Sequence, residues 1–303
     1  MIDKLKAIYG QALIENTGEV ANPTDFYWFV TQAGTSFGLR KSAITDTEYR
    51  LLSLQCQPVD TVPKPLSVDQ RFWHALLFEN ITPSQTKEVQ AFSFLHIACK
   101  KAPSDFETFE EAINAVFRKK PTILWKSARD VVLILPKRSS LQAAKEFVDL
   151  IAADFYIDVS VLVGPALKEL TGAHHMYRLH DEWFKLARVT APERRIFDVE
   201  GLAPLVLVDE ASAPTLQGLY DSLFQVFVEE GPEMRESLIA FYECGLNLTT
   251  AAKALYIHRN SLQYRLDRFS EKTGLDPKAF SHAVFIYMGL TAFKRQTDRH
   301  EKS

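Results

Sequence analysis

The sequence predicts an α+β protein whose last quarter forms a separate all-α domain. Between residues 92 and 163 segments with strand-like and helix-like patterns alternate, whereas after Gly231-Pro232 the apolar residues recur almost only at helical spacing. The charge changes near the same place: residues 233–303 carry eleven Lys and Arg and eight Asp and Glu, a balance of +3 in a chain whose net charge is −3. We therefore expect the last quarter to have a binding partner of its own.

The composition excludes several classes of protein. With 47% hydrophobic and 24% charged residues, a chain of 303 residues is typical of a soluble globular protein of two or three domains. Cys56, Cys99 and Cys244 lie far apart without a CxxC spacing, which suits a reducing compartment and predicts neither a disulfide nor a zinc site. The N-terminus lacks the apolar core of a signal peptide, and no apolar run reaches the roughly 20 residues of a membrane span. We therefore expect a cytoplasmic protein without a membrane partner.

Residues 1–90 predict a small α/β unit. Phe26–Val30 and Ser36–Arg40 have strand-like composition and are joined by a Gly-containing turn, which predicts a hairpin. The next segment predicts a helix with Thr45 as its N-cap and Glu48 completing a capping box. This region is small for an independent domain. In the leading hypothesis below it is the sensory or interaction region.

Residues 91–200 predict a β-α-β-β-α-β domain. The strand-like AFSFLHIAC precedes the helical SDFETFEEAINAVF, for which Ser104 is the expected N-cap. The strands TILW and VVLILP, joined by the short turn Lys126–Asp130, precede the helical LQAAKEFVDLIAADF and the strand IDVSVLVG. This is the order of the ferredoxin-like fold, in which two helices cover one face of an antiparallel sheet. Residues 201–232 predict a helical connector broken by Pro204 and Pro214.

Residues 233–303 predict a helix-turn-helix domain. A short helix begins at Asn247 or Thr249, either of which suits an N-cap. Its small Ala251 and Ala252 allow a second helix to cross closely. Tyr256 then occupies a turn position where glycine is common, so we expect a less tight turn.

The second helix of this domain ends at Gly274 and has one apolar stripe. Leu262, Leu266 and Phe269 recur at i, i+4 and i+7, and so predict the buried face. Its remaining side chains are polar and face outward, as a helix that reads the major groove of DNA requires.

Several of these polar residues are candidates for contacts with DNA. Arginine binds guanine O6 and N7 bidentately, and asparagine or glutamine binds adenine N6 and N7 in the same way. The base-reading candidates are Arg259, Asn260, Ser261 and Gln263, with His258 and Tyr264 as further candidates, and the phosphate-binding candidates are Thr249, Thr250, Arg265 and Arg268. Arg265 has an alternative, which is to pair with Asp267 or Glu271 of its own helix.

The stretch NLTTAAKALYIHRNSLQYRLDRFSEKTGLDP resembles the C-terminal domain of a known family. The resemblance is carried by Asn247, the small-residue helix, Ile257–Leu262, the triplet Tyr264–Leu266 and the ending Thr273–Asp276. It is similar to the helix-turn-helix of the bacterial purine-catabolism and sugar-diacid regulators, the PucR/CdaR type. The resemblance implies sequence-specific DNA binding in transcription regulation, with activation more often than repression.

The resemblance also extends to residues 91–200, where members of this family often carry a degenerate GGDEF-like domain. In active diguanylate cyclases of that fold, the hairpin between the central strands carries two glycines that admit the nucleotide and carboxylates that hold Mg²⁺. Here the hairpin reads Lys126-Ser127-Ala128-Arg129-Asp130-Val131, and Asp130 is its one carboxylate. A single carboxylate beside an arginine is a poor two-metal site, so we expect a noncatalytic domain.

Three functional hypotheses follow. The leading one is a transcriptional regulator that binds double-stranded operator DNA as a homodimer and responds, through residues 1–90, to an unidentified small-molecule effector or partner. The second is a noncatalytic ligand- or protein-binding adaptor that dimerises through its C-terminal helices. The third is an enzyme whose GTP turnover depends on Asp130.

The sequence motifs favour a protein that is not an enzyme and holds no cofactor. The sequence contains no P-loop, GxGxxG, GxSxG or HExxH motif. His174, His175 and His180 lie at spacings that do not share a helix face, so we predict no metal site.

Overall fold

A computed structural model describes residues 2–15, 25–31, 36–59, 66–81, 91–117 and 120–300. The chain divides into two compact units, an N-terminal unit (Met1–Val199) and a C-terminal unit (Glu200–Ser303). The predicted α+β class is confirmed, because both β-sheets lie in the first unit and the second is helical. Within the described ranges, none of the helices combines the length and the apolar character that a membrane span requires.

The start of the N-terminal unit is a four-stranded antiparallel sheet with strand order β1-β3-β2-β4. Its elements are α1 (Ile2–Tyr9), β1 (Leu13–Glu15), β2 (Phe26–Thr31), β3 (Ser36–Arg40), α2 (Asp46–Gln55) and β4 (Cys56–Val59). The predicted hairpin is confirmed by the pairing of β2 with β3, while its turn, residues 32–35, lies outside the described residues. The predicted capping box is also present: Glu48 N–H donates to Thr45 Oγ1 (3.3 Å), and Thr45 N–H donates to Glu48 Oε2 (2.8 Å).

The second sheet of this unit confirms the predicted ferredoxin-like order. Its elements are β5 (Ser93–Cys99), α4 (Phe106–Val116), β6 (Thr122–Trp125), β7 (Asp130–Leu135), α5 (Leu141–Phe155), β8 (Val159–Val163) and β9 (Ile196–Asp198). The strand order is β6-β7-β5-β8-β9, antiparallel except that β9 runs parallel to β8. Helices α4 and α5 pack on one face, where Phe109, Ile113, Phe147 and Ile151 are fully buried.

One predicted cap is wrong by a residue. Helix α4 begins after Asp105, not Ser104, and Asp105 Oδ1 accepts hydrogen bonds from the N–H groups of Glu107 (2.9 Å) and Thr108 (3.1 Å). A carboxylate accepts two such bonds at once and also bears the negative charge that a helix N-terminus favours, so the aspartate takes the position.

The opposite face of the five-stranded sheet is covered by two further helices. They are α3 (Val68–Phe78), which belongs to the region 1–90 of the sequence-based division, and α6 (Ala173–Thr190). Trp73 and Leu77 of α3 pack with Phe94 of β5 and Tyr177 of α6 in one buried cluster. The sheet is therefore the middle layer of three, and its second face is filled by side chains.

A buried histidine lies under α6. The side chain of His96 is 2% exposed, and its ring stacks on the ring of Tyr177, with centroids 5.5 Å apart, and lies edge-on to His180 at 6.1 Å. In the part of the chain that the structure describes, neither ring nitrogen of His96 has a hydrogen-bond partner; Asp181 Oδ1 is 3.9 Å from Nδ1. Burial and the nearby Lys126 ammonium lower the pKa of His96 to about 3, so the ring is neutral.

The C-terminal unit consists of helices around one apolar core. They are α7 (Val199–Glu210), α8 (Ala213–Glu229), α9 (Gly231–Glu243), α10 (Leu248–Ala254), α11 (Arg259–Thr273) and α12 (Phe280–His300). The core joins Phe227 of α8, Leu238 and Phe241 of α9 and Ile286 of α12, all at most 1% exposed.

The predicted break at Pro204 is wrong. Helix α7 runs through Pro204, which lies in its middle, whereas Pro214 lies in the first turn of α8 behind the N-cap Ser212. In the first turn of a helix a proline removes no intrahelical hydrogen bond, which explains the position of Pro214.

The burial of His96 predicts a pH-dependent loss of stability. Folding lowers its pKa from about 6.5 to about 3, so its contribution is complete above pH 6.5 and is lost as the pH falls from 6.5 toward 3. At pH 5 we expect about 2 kcal/mol less stability of the N-terminal unit from this group. Urea unfolding at pH 7.5 and pH 5, followed by tryptophan fluorescence, measures it, since all four tryptophans lie in residues 1–199.

The variant His96→Phe, which keeps the aromatic stack, should lose less stability between these two pH values than wild type. The control variant His175→Phe replaces an exposed histidine of α6 and should behave like wild type. Equal losses in wild type and His96→Phe would show that His96 is not the responsible group.

Candidate nucleic-acid interface

Helix α10 is set in place by its cap and by two alanines. Asn247 is the N-cap, and its Oδ1 accepts from the N–H groups of Thr249 (3.1 Å) and Thr250 (3.0 Å). Ala251 and Ala252 are buried at 0% and 3% exposure in the core shared with α9 and α11. The side chains of Thr249 and Thr250 remain exposed in the first turn, so the structure leaves both phosphate-binding candidates accessible.

The turn after α10 is closed by two backbone hydrogen bonds around Tyr256. Ile257 N–H donates to Ala252 O (3.0 Å), and Tyr256 N–H donates to Lys253 O (3.1 Å), which is the Schellman pattern. Tyr256 has a φ of +56°, in the left-handed region that favours glycine, and its side chain is 96% exposed. The expectation of a looser turn is wrong, because the tyrosine adopts the backbone conformation that a glycine would.

Helix α11 begins at a histidine cap and ends at a left-handed glycine. His258 is the N-cap, and its Nδ1 accepts from Asn260 N–H (3.2 Å), so the ring carries its proton on Nε2. From the sequence His258 is a base-reading candidate, and its role as N-cap is not predicted because histidine is uncommon at that position. Gly274, with φ +71°, ends the helix as predicted.

The buried stripe of α11 determines which side chains face outward. Leu262, Leu266 and Phe269 are 0–1% exposed, which confirms the predicted stripe. With 100° between successive residues, the side opposite this stripe is centred on Asn260 and Tyr264, and both are exposed. We call the exposed residues Arg259, Asn260, Ser261 and Tyr264 the reading face.

Gln263 is held by other side chains. Its Nε2 donates to Asp267 Oδ1 (2.5 Å), and its Oε1 accepts from Lys278 Nζ (3.1 Å). A base contact by Gln263 would therefore require it to exchange at least one of these partners.

The other flank of α11 carries three cations that are paired with a row of glutamates. We call Arg265, Arg268 and Lys272 the basic flank, and Glu229, Glu230 and Glu233, at the α8–α9 junction, the glutamate row. The shortest contacts of the three cations are Arg265 Nη2 to Glu233 Oε2 (2.6 Å), Arg268 Nε to Glu230 Oε2 (2.8 Å) and Lys272 Nζ to Glu230 Oε1 (2.6 Å). Lys272 also lies 3.2 Å from Glu229 Oε2.

Arg265 joins α11 to α9 through more than one contact. Besides Glu233, its Nη1 donates to Ser237 Oγ (3.0 Å), and Ser237 is fully buried and donates to Glu233 O (2.7 Å). The alternative partners considered from the sequence, Asp267 and Glu271, are not the ones that the structure gives it. A partner 32 residues away on another helix leaves no local signal in the sequence.

Glu230 is the most enclosed member of the glutamate row. Its side chain is 6% exposed, whereas that of Glu233 is 74% exposed. Hydrogen bonds from Lys272 and Arg268 hold the pKa of Glu230 below its ordinary value, so the carboxylate is ionised at neutral pH. The reading face and the glutamate row border one open cleft of ≈ 550 Å³, lined by Asn260, Tyr264 and Glu233 among others.

The hairpin between β6 and β7 is the second region with a functional expectation. Ser127 Oγ donates to Asp130 Oδ2 (2.8 Å), and Arg188 Nη2 lies 3.9 Å from Asp130 Oδ1. Lys126 is paired with Asp181 of α6. The carboxylate of Asp130 thus has a hydroxyl and a guanidinium as neighbours.

The three histidines singled out in the sequence have different surroundings. His174 donates from Nδ1 to Leu77 O (2.8 Å), His175 is exposed, and His180 is buried beside His96. Among the described residues, no group of three His, Cys, Asp or Glu side chains is placed to hold a metal ion.

Comparison with known proteins identifies the C-terminal domain. Residues 234–292 match the family described as PucR C-terminal helix-turn-helix domain, which confirms the predicted motif. The carbohydrate diacid regulator of Escherichia coli is 42% identical over 57 residues, which are 19% of this chain and 15% of that protein.

Two other similarities cover more of the chain. An uncharacterized protein of Bacillus subtilis is 26% identical over 254 residues, covering 82% of this chain and 84% of that protein. The crystal structure of a regulator of polyketide synthase expression from Bifidobacterium adolescentis covers 76% of this chain and 93% of that one, with 19% identity and a TM-score of 0.33.

The strained turn predicts a stabilising substitution. Tyr256→Gly should relieve the backbone strain of the left-handed conformation, although glycine also raises the conformational entropy of the unfolded chain. We expect the free energy of unfolding of the C-terminal unit to rise by about 1 kcal/mol in total. Thermal unfolding followed by helical circular dichroism measures it. Tyr256→Ala removes the same exposed ring but keeps the strain, so it should give no such gain; equal stability of the two variants would contradict the explanation.

Proposed function

We propose that this chain is a transcriptional regulator of the PucR/CdaR type, because residues 234–292 match the PucR C-terminal helix-turn-helix domain. It acts by sequence-specific binding of α11 in the major groove of double-stranded operator DNA. The observation that carries the proposal is the reading face: polar side chains exposed at the start of a helix whose opposite side is anchored in the core. A helix-turn-helix contacts bases with the N-terminal part of its second helix, where this face lies.

Each side chain of the reading face has a chemical role in this proposal. Arg259 binds a guanine edge and Asn260 an adenine edge, each bidentately. Ser261 and Tyr264 contribute hydroxyl groups to bases or phosphates. Among the described ion pairs none involves Arg259, so its guanidinium is available without breaking a contact of that kind.

The surroundings of the reading face supply phosphate contacts. The hydroxyls of Thr249 and Thr250 are exposed at the start of α10, the helix that crosses the DNA backbone in this motif. His258 accepts at Nδ1 and therefore offers its Nε2–H as a donor to a phosphate or a base. These contacts position the domain, and the reading face provides the sequence preference.

We further propose that the chain binds as a homodimer in the cytoplasm and that an effector acts through its first 90 residues. A single helix-turn-helix makes few base contacts, and two of them bind half-sites about 34–36 Å apart or a multiple of this distance.

We propose a noncatalytic role for the ferredoxin-like domain, in dimerisation or signal transmission, because the carboxylate of Asp130 faces Ser127 and Arg188 instead of a second carboxylate.

The proposal is tested by measuring the binding of the full chain to a library of genomic fragments, including its own upstream region, over a series of salt concentrations. Each bidentate contact is worth roughly 1–3 kcal/mol, so Arg259→Ala/Asn260→Ala should lose at least about tenfold in affinity for the selected fragment. Binding to random DNA should change much less.

The matched control is Arg129→Ala/Asn114→Ala, which removes the same two side-chain types from exposed positions of the N-terminal unit. It should bind like wild type. Wild-type binding that is indifferent to sequence across the whole library, and equal in both double variants, would overturn the proposal in favour of the adaptor hypothesis.

A further inference from the structure

The basic flank of α11 differs from the reading face because its charges are already compensated. The spacing i, i+3, i+7 places Arg265, Arg268 and Lys272 along one side of the helix, and each lies within 2.8 Å of a carboxylate oxygen of the glutamate row. Three positive charges face three negative ones. In contrast to the reading face, this flank therefore offers little net charge to an approaching phosphate.

Unpaired cations on a helix that binds in the major groove reduce the preference of that helix for its own site over other DNA. Lysine and arginine bind the phosphates of DNA of any sequence. Each such contact releases counterions and steepens the slope of log affinity against log salt concentration by about 0.9. These contacts raise the affinity for random DNA as well as for the operator. A protein that must find one site among many gains specificity when such contacts are prevented.

We propose that the glutamate row determines the specificity of this regulator by keeping the basic flank off the phosphate backbone. The inference rests on the proposed function, and it concerns the flank that does not read bases. Enclosure makes the pairing persistent: the side chain of Glu230 is 6% exposed and that of Arg265 is 27% exposed. Glu233 also borders the cleft beside Asn260 and Tyr264, where its negative charge repels a phosphate directly.

A purely structural role is the alternative explanation of these ion pairs. The side chain of Glu233 is 74% exposed, so its ion pair contributes little to stability, and the anchoring of α11 already comes from its buried stripe. The two explanations differ in a measurable quantity, the slope of binding affinity against salt concentration, which a structural role would not change.

The test compares Glu230→Gln/Glu233→Gln with the control Glu236→Gln/Glu243→Gln in the full chain. Both variants remove two negative charges from the same region, but Glu236 and Glu243 are exposed on α9 and belong to none of the described ion pairs. In the first variant we expect affinity for random DNA to rise several-fold and its salt slope to steepen by about 1 to 2. The control should keep the wild-type slope.

The preference for the operator over random DNA should fall several-fold in the same variant. On the operator, base contacts determine how α11 is oriented, so the freed cations reach only the phosphates that this orientation allows. On random DNA no base contacts fix the orientation, so the domain can adopt the one in which the freed cations contact the most phosphates. Thermal unfolding of each variant checks that the C-terminal unit remains folded.

A reciprocal pair of variants tests the cations themselves. Arg265→Gln/Arg268→Gln should leave the wild-type salt slope unchanged, because these side chains do not contact phosphate. Added to Glu230→Gln/Glu233→Gln, the same changes should return the steepened slope to the wild-type value. The fourfold variant also restores the net charge of the chain. The control Glu236→Gln/Glu243→Gln, which changes the net charge by the same amount as Glu230→Gln/Glu233→Gln, therefore separates the effect of net charge from that of the freed arginines.

Two results would overturn the inference while the proposed function stands. One is an operator-selective wild type whose salt slope is unchanged by Glu230→Gln/Glu233→Gln. The other is a slope that falls by about 2 in Arg265→Gln/Arg268→Gln alone, which would make both arginines phosphate ligands. A wild type without any sequence preference would overturn the proposed function and this inference together.

Discussion

The packing of Leu262, Leu266 and Phe269 against α8 and α9 is the interaction on which the C-terminal unit depends, because it fixes the rotation of α11 about its own axis. Burying each of these side chains contributes roughly 1.5–3 kcal/mol. An exposed ion pair contributes at most about 1 kcal/mol. The apolar stripe therefore decides where the helix lies, and the polar residues decide only what it can bind from there.

Once the stripe is fixed, the helix has two polar sides with different chemistry. Asn260 and Tyr264 lie opposite the stripe and are exposed, whereas Arg265 and Arg268 lie beside it and meet the α8–α9 junction. The short α10 can cross α11 closely because Ala251 and Ala252 are small. Its turn is so short that Tyr256 must adopt a left-handed backbone conformation. Strain in one exposed residue is the consequence of bringing the two helices together.

The sequence predicted those features that depend on neighbours a few residues away. The β-α-β-β-α-β order, the Thr45–Glu48 capping box, the Asn247 cap and the apolar stripe of α11 all follow from local periodicity or local hydrogen bonding. The features it missed depend on distant parts of the chain. Glu233 and Arg265 are 32 residues apart, and α3 covers a sheet whose first strand it precedes by fifteen residues. Periodicity shows that a helix has an apolar face, but not which surface that face covers.

The ion pairs of the C-terminal unit show why a count of its charged residues overstates the charge that it offers to the proposed DNA partner. Of the eleven Lys and Arg in residues 233–303, the three of the basic flank are paired with the glutamate row, and Arg295 is paired with Asp209 of α7. Two of those glutamates and Asp209 lie before residue 233, so the balance of +3 does not include them. In the proposed function, α11 with so few unpaired cations gains little sequence-independent affinity for DNA. The proposed affinity then has to come from base contacts, and the two α11 helices of the proposed dimer supply twice as many of these as one.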